Sequence, residues 1–235
     1  MVFEKLEKRL ILTGTIEAVT PLHIGSGKSE FDIGGTDLTV LMTPDNIPYI
    51  PGSSLKGRVR SEAERIARQK NMPICYPPKT DSMCGSIKNS IDELCICCRI
   101  FGTAGNVSVA SKVKFRDAYP LGKVETLLER TGIAIDRETG TVAKGALYTI
   151  QAVPAGTKFS LEIVAENLTE EELRLLKAAL KSVEDSALGG ASSRGFGKVK
   201  IDITRVNMRT AGYYLGEEQE QVLEGEELKR WLSEF

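Results

Sequence analysis

The chain of 235 residues is 41% hydrophobic and 27% charged, with a formal net charge of -1. That is the composition of an ordinary globular protein, long enough to bury a good-sized core. No apolar stretch approaches the roughly 20 residues that span a bilayer, and the opening MVFEKLEKRL lacks the long apolar core of a signal peptide, so a cytoplasmic protein with no membrane partner is expected.

The near-zero charge hides a segregation. From Ser53 to Lys70 six basic residues (Lys56, Arg58, Arg60, Arg65, Arg68, Lys70) stand against Glu62 and Glu64, whereas Glu217 to Phe235 holds seven acids against Lys229 and Arg230. An acidic tail cancels a basic body, and a polyanionic partner is not excluded. Each segment taken alone also reads as a solvated helix face.

In chain order, Leu10, Leu12, Ile16 and Ala18 alternate and make Arg9 to Val19 a strand with one buried face. A glycine-rich stretch follows, with Gly34-Gly35-Thr36-Asp37 at its centre. Pro51-Gly52 then stops extended backbone, and either Ser53 or Ser54 can cap a helix whose apolar stripe is Leu55, Val59, Ile66 and Ala67, with Arg58, Glu62 and Arg65 outward. Lys56, Arg58 and Arg60 fall in its first two turns, where cationic side chains and free N–H groups would converge on one anion. Residues 71–106 mix Pro, Gly, Ser and Cys without periodicity and read as an insertion, poor in core residues, that needs its own staple.

Strand character returns at Val107 to Phe115 and at Lys158 to Ala165, with Gly145 to Val153 as the expected hairpin partner of the latter across Pro154-Ala155-Gly156. The stretch between, residues 119–144, reads as a projecting arm. Thr169 with Glu172 forms a capping box ahead of Leu173, Leu176, Leu180 and Val183, and Gly189-Gly190 would end that helix. A last strand spans Lys198 to Val206, and Glu217 to Phe235 reads as an appended amphipathic helix contacting the body through Val222, Leu228, Trp231 and Leu232. Insertions aside, the order is strand, helix, strand, strand, helix, strand. The fold class is therefore α+β: a ferredoxin-like, RNA-recognition-motif-like palm of residues 1–215 with inserted metal-binding and hairpin segments, followed by a C-terminal acidic helix over 216–235.

Three clusters carry chemistry. Cys75, Cys84, Cys95 and Cys98 can form a tetrahedral thiolate site for a structural Zn2+, because Cys95-x-x-Cys98 is a chelating half and the other two lie in the same insertion; Cys97 is an alternative donor to Cys98, and buried apolar thiols are the plainer reading. His23, the single histidine, is the one side chain whose ordinary pKa suits acid–base work near neutrality, or else a strand-end histidine bonded to backbone. Gly189, Gly190, Gly195 and Gly197 surround Ser192, Ser193 and Arg194 in a loop between helix and strand, an order unlike a dinucleotide or nucleoside triphosphate site but suited to tracking a nucleic-acid backbone, or to a tight turn.

The segments LHIGSGKSEFDIGGTD, YIPGSSLKGRVRSEAERIA, CICCRIFG, GIAIDRETGT and GGASSRGFGKVKI, co-linear between about Leu10 and Val206, resemble the RAMP superfamily of CRISPR proteins, in particular the repeated backbone subunit of type III effector complexes of the Csm type. The resemblance implies a subunit that polymerises with copies of itself and with other type III subunits along a guide RNA, and that cuts the paired target RNA using a loop aspartate with Mg2+ or Mn2+. The matching position is Asp37, with Asp32 nearby as a structural alternative; a bare Gly-Gly-Thr-Asp is otherwise a turn. The implied RNA contacts are Ser53, Ser54, Lys56, Arg58, Arg60, Gly190, Ser193, Arg194 and Gly195, together with Arg137 in a projecting hairpin. The family often mixes histidine into the cysteine segment, and this chain has cysteine alone there. Relatives that process precursor guide RNA without metal use a histidine, which makes His23 the centre of an alternative enzyme reading, and a non-cleaving scaffold is the other.

Overall fold

The computed structural model describes residues 4–25 and 38–234. Its centre is a five-stranded antiparallel sheet in the order β2-β5-β1-β6-β7, made of β1 (Arg9–Ala18), β2 (Val113–Phe115), β5 (Lys158–Glu166), β6 (Val199–Arg209) and β7 (Gln221–Leu223). A separate two-stranded sheet joins β3 (Leu128–Ile135) to β4 (Val142–Ala152). The long helices are α1 (Gly52–Gln69) and α4 (Glu170–Asp185); α2 (Cys84–Ile87), α3 (Ile96–Phe101), α5 (Ala211–Leu215) and α6 (Gly225–Ser233) are short.

The alternation in β1 puts Leu10, Leu12, Ile16 and Ala18 in the core, where they meet Leu55, Val59, Ala63 and Ala67 of α1 and Leu176, Ala179, Leu180 and Val183 of α4. β1 lies between β5 (Arg9 opposite Glu166) and β6, with a register shift at Thr13/Gly14. Gly14 is required at that bulge, since a Cβ would sit 1.9 Å from the Asp202 carbonyl oxygen. The opposite sheet face is polar: Glu166 pairs with Arg9 at 2.7 Å and with Lys114 at 3.1 Å, and Glu162 with Arg116 at 3.3 Å.

Several local expectations are corrected. α1 begins at Gly52, and neither Ser53 nor Ser54 caps it; the Gly52 N–H donates across the fold to the Asp117 carboxylate at 2.7 Å. Glu62, placed outward by the periodicity, is 2% exposed and accepts a hydrogen bond from the Ser182 hydroxyl at 2.7 Å. The insertion supplies core of its own, because Leu94, Ile96, Ile100 and Phe101 are all buried. β4 pairs with β3 and not with β5, so the arm comprises β3 and β4, while residues 119–121 run along β5 through the bond from Leu121 N to the Lys158 carbonyl. α4 does open with the capping box of Thr169 and Glu172, but it ends at Asp185, ahead of the glycines. The acidic tail is not one helix: β7 extends the sheet beside Val206–Met208 before α6 packs back through Leu228, Trp231 and Leu232. Lys177 of α4 holds α6 in place, its ammonium 3.5 Å from the centre of the Trp231 ring and bonded to the Trp231 carbonyl. Among the described residues, no helix is long and apolar enough to cross a membrane.

Candidate nucleic-acid interface and cysteine cluster

The glycine-rich loop after α4 is built around His23. The Gly190 N–H donates to the His23 carbonyl at 2.8 Å, the Gly197 N–H donates to the Pro21 carbonyl at 2.9 Å, and His23 Nδ1 lies 2.7 Å from the Gln151 carbonyl. A carbonyl can only accept, so Nδ1 carries a proton. Gly189, at φ +82°, leaves no room for a side chain: a Cβ would lie 2.3 Å from the His23 carbonyl oxygen, and one on Gly190 would lie 3.0 Å from the imidazole Cδ2. With His23 only 5% exposed beneath this loop, the histidine serves as a joint between β4, the end of β1 and the loop, which supports the backbone-bonded reading over the acid–base one.

The loop itself is presented outward. Ser192, Ser193, Arg194 and Gly195 are exposed on a single 3-10 turn flanked by Ala191 and Gly195 in the left-handed region. The Arg194 guanidinium lies 5.0 Å from the centre of the Tyr148 ring, its carbonyl accepts from Arg130 at 3.3 Å, and Arg130 lies over Phe196 at 4.5 Å. Two cation–π contacts thus lock the loop to the β3–β4 arm. Gly132 faces Tyr148 so closely that a Cβ there would meet the ring at 2.3 Å. At the tip of the arm Asp136 accepts from the N–H groups of Thr139 and Glu138, which holds its carboxyl below the usual range and leaves Arg137 exposed beside it.

Among the cations of α1, Arg58 and Arg60 are each paired with the glutamate four residues on, Glu62 and Glu64. Ser53 and Ser54 are exposed at the start of the helix and Lys56 is half-buried; burial lowers the Lys56 pKa, and so does the neighbouring charge of Arg60. Arg58 pairs with Glu62 at 3.0 Å. Arg60 turns inward, toward Glu64 and the cysteines.

Asp37, Asp32 and the Gly34–Gly35 pair lie outside the described residues. On either side, Gly25 bridges Val40, and the Leu38 N–H donates to the Thr149 carbonyl of β4, so the chain leaves and re-enters beside the arm.

The sulfurs of Cys75, Cys84, Cys95 and Cys98 all lie within 4.8 Å of one another and all four residues are buried. Cys75 and Cys98 Sγ are 3.4 Å apart, Cys75 and Cys95 Sγ 3.8 Å. A tetrahedral ion with Zn–S bonds of about 2.3 Å requires sulfur separations of roughly 3.8 Å, so the four donors are close enough to take such an ion after small shifts of the side chains. A hydrogen bond from Cys98 pulls the Cys95 thiol down to about 4, whereas burial pushes Cys84 up to about 11. The bond to Cys95, followed by burial, raises Cys98 as well. Cys97 is outside this group of four, and burial pushes its thiol up to about 12. A cleft of about 690 Å³ borders Cys75, Cys84 and Cys95 and offers an entry path.

Residues missed by sequence reading are Asp117, Tyr148, Phe196 and Arg130. Of these, Phe196 had a readable signal, as an aromatic residue between two glycines and close to Arg194 and Lys198.

Residues 15–200 match the RAMP superfamily model. The chain is 34% identical over 226 residues to the CRISPR system Cms endoribonuclease Csm3 of Methanocaldococcus jannaschii, covering 91% of this chain and 86% of that protein. It is 30% identical over 245 residues to Csm3 of Methanothermobacter thermautotrophicus, covering 93% and 94%. Among solved structures it is similar to a chain of the Csm3–Csm4 subcomplex of the type III-A CRISPR-Cas interference complex, with a TM-score of 0.60 and 26% identity across 98% of this chain and 97% of that one. The chain therefore belongs to the RAMP superfamily and, within it, to the Csm3 family.

Proposed function

We propose that this chain is the guide-RNA-binding backbone subunit of a type III CRISPR effector complex and that it cleaves complementary target RNA at regular intervals as an endoribonuclease. The observation that carries this reading is similarity across nearly the whole length to proteins named as Csm3 endoribonucleases. The palm is read as ferredoxin-like: β1, α1, β2, β5, α4 and β6 follow the order strand, helix, strand, strand, helix, strand, and the sheet order β2-β5-β1-β6 supports it.

RNA is held by the exposed loop and by the start of α1. Ser193 and Arg194, with the exposed backbone at Gly190 and Gly195, contact backbone phosphate and ribose from one side; Ser53, Ser54, Lys56 and Arg58 do so from α1, and Arg137 from the arm. The polar sheet face has no aromatic residue on β1, β5 or β6 directed away from the helices, so stacking of bases on the sheet has no platform there and guide sequence is left unread.

Asp37 is the proposed catalytic residue, binding Mg2+ or Mn2+ together with the RNA phosphates. When bound, the divalent cation supplies charge stabilisation at the scissile phosphate. The glycines beside Asp37, having no side chain, let the backbone approach the target strand. Cys75, Cys84, Cys95 and Cys98 hold a structural Zn2+, replacing shared thiol protons by one cation and stapling the insertion internally.

The test is cleavage of a guide-complementary RNA by the assembled complex with Mg2+ or Mn2+. Regularly spaced products from the native chain, lost in Asp37→Ala while guide binding persists, are the expected result. Equal cutting by both moves catalysis off Asp37, and no cutting by either leaves a binding scaffold.

A further inference from the structure

We infer that Arg60 is a positioning residue of the cysteine centre, serving as the cation that offsets thiolate charge and orients the Cys98 sulfur through an N–H···S hydrogen bond. The inference rests on the metal reading above. All three groups of the guanidinium face protein: Nε donates to Glu64 at 2.9 Å, Nη1 to the Gly102 carbonyl at 3.1 Å and Nη2 to Cys98 Sγ at 3.6 Å. Gly102 directly follows α3 and Cys98 lies within it, so one planar fork grips both the sulfur and the carbonyl end of the helix that carries it.

Charge requires such a partner. Four thiolates around a divalent cation carry two net negative charges, and all four cysteines are at least nine-tenths buried, where uncompensated charge is costly. Arg68, two turns further along α1, reaches the Cys75 backbone carbonyl at 3.1 Å, and Arg99 lies toward Glu172 at 3.7 Å. Of these three arginines, Arg60 is the one that donates to a sulfur. A hydrogen bond to a thiolate lowers the energy of its lone pairs, which slows attack on that sulfur and retains the metal. The same helix begins at the proposed RNA contacts, so the centre also anchors the part of α1 that carries Ser53, Ser54 and Lys56.

The experiment compares the full chain with Arg60→Gln, Arg60→Lys and Glu64→Gln. Zinc content comes first: a native chain without zinc overturns the metal reading itself, before any variant is considered. With zinc present, Arg60→Gln should pass it to a chromogenic chelator about 10- to 100-fold faster. In the cobalt-substituted protein its sulfur-to-cobalt charge-transfer band should move to lower energy. Arg60→Lys, which keeps charge but loses the fork, should retain zinc better than Arg60→Gln, and Glu64→Gln should leave the band unmoved. Native release rate and band position in Arg60→Gln overturn the inference while the metal reading stands. Should Arg60→Gln fail to fold, the band of Arg60→Lys decides, and an unmoved band there counts against it.

Discussion

The Glu62 carboxylate on α1 accepts a 2.7 Å hydrogen bond from the Ser182 hydroxyl on α4, and the same carboxylate pairs with Arg58 at 3.0 Å and Arg65 at 3.1 Å. The contact ties together the two long helices behind the sheet. Because Glu62 is 2% exposed, replacing it leaves the half-buried Ser182 hydroxyl and two arginines without their acceptor. Glu62→Ala should lower unfolding stability by about 2 to 4 kcal/mol, and Ser182→Ala by about 1 kcal/mol, in urea titrations of the isolated chain. Equal midpoints for Glu62→Ala and the native chain would show the contact to be energetically silent.

Glu172 serves two functions at the start of α4. It closes the capping box with Thr169 and receives Lys112 at 2.7 Å while 1% exposed. Thr169→Ala removes one cap and should cost about 1 kcal/mol. Glu172→Ala also strands the buried Lys112 ammonium and should cost about 3 kcal/mol or more. Thermal melts of the two variants check the order, and a larger loss for Thr169→Ala would refute it.

Acid should weaken the polar sheet face in a defined window. Burial pushes Glu166 up, but the hydrogen bonds and charges of Lys114 and Arg9 outweigh it, and its pKa in the folded protein lies below the ordinary 4.5. A depressed carboxylate contributes stability above its unfolded pKa and loses it as pH falls through the folded one. Stability should therefore fall below about pH 4.5, and Glu166→Gln should be weaker at pH 7 and less sensitive over that range. Parallel acid titrations of both proteins, followed by circular dichroism, measure the difference.

The glycine loop leaves no space over His23. Gly189→Ala places a Cβ against a carbonyl at a positive φ and should cost about 1 to 3 kcal/mol, with a loss of guide-RNA affinity larger than the loss of stability predicts. Filter binding of the folded variant tests this; native affinity would remove the loop from the RNA surface.

Chelation should melt the insertion. Four clustered thiols without their ion repel as they ionise, so EDTA or a stronger zinc chelator should lower the melting temperature by several degrees, and Cys84→Ser should reproduce the effect without chelator. Chelation that strips the zinc and leaves the melting temperature unchanged would show that no metal supports the fold.

Much of this protein is determined locally. The alternation of β1, the capping box of α4 and the CxxC spacing are readable because each rests on neighbours a few residues apart. The cysteine set is legible for the same reason, and the four sulfurs do gather. Pairings set by distant chain segments were not legible. Nothing within Gly145 to Val153 says that it joins β3 and not β5, because both partners offer an antiparallel edge and only the arm's departure from the palm decides. Helical spacing put Glu62 outward, but α4 covers that face and supplies a hydroxyl to satisfy the carboxylate. Arg60 reads in sequence as one more cation in a basic run; folding the insertion onto α1 gives it a sulfur to face. Sequence determined which residue types could carry charge, cap a helix or bind metal, since those are properties of side chains and short spacings. Tertiary structure alone decided which of them meet, because a charge takes its partner from whatever segment the core brings within about 3 Å of it.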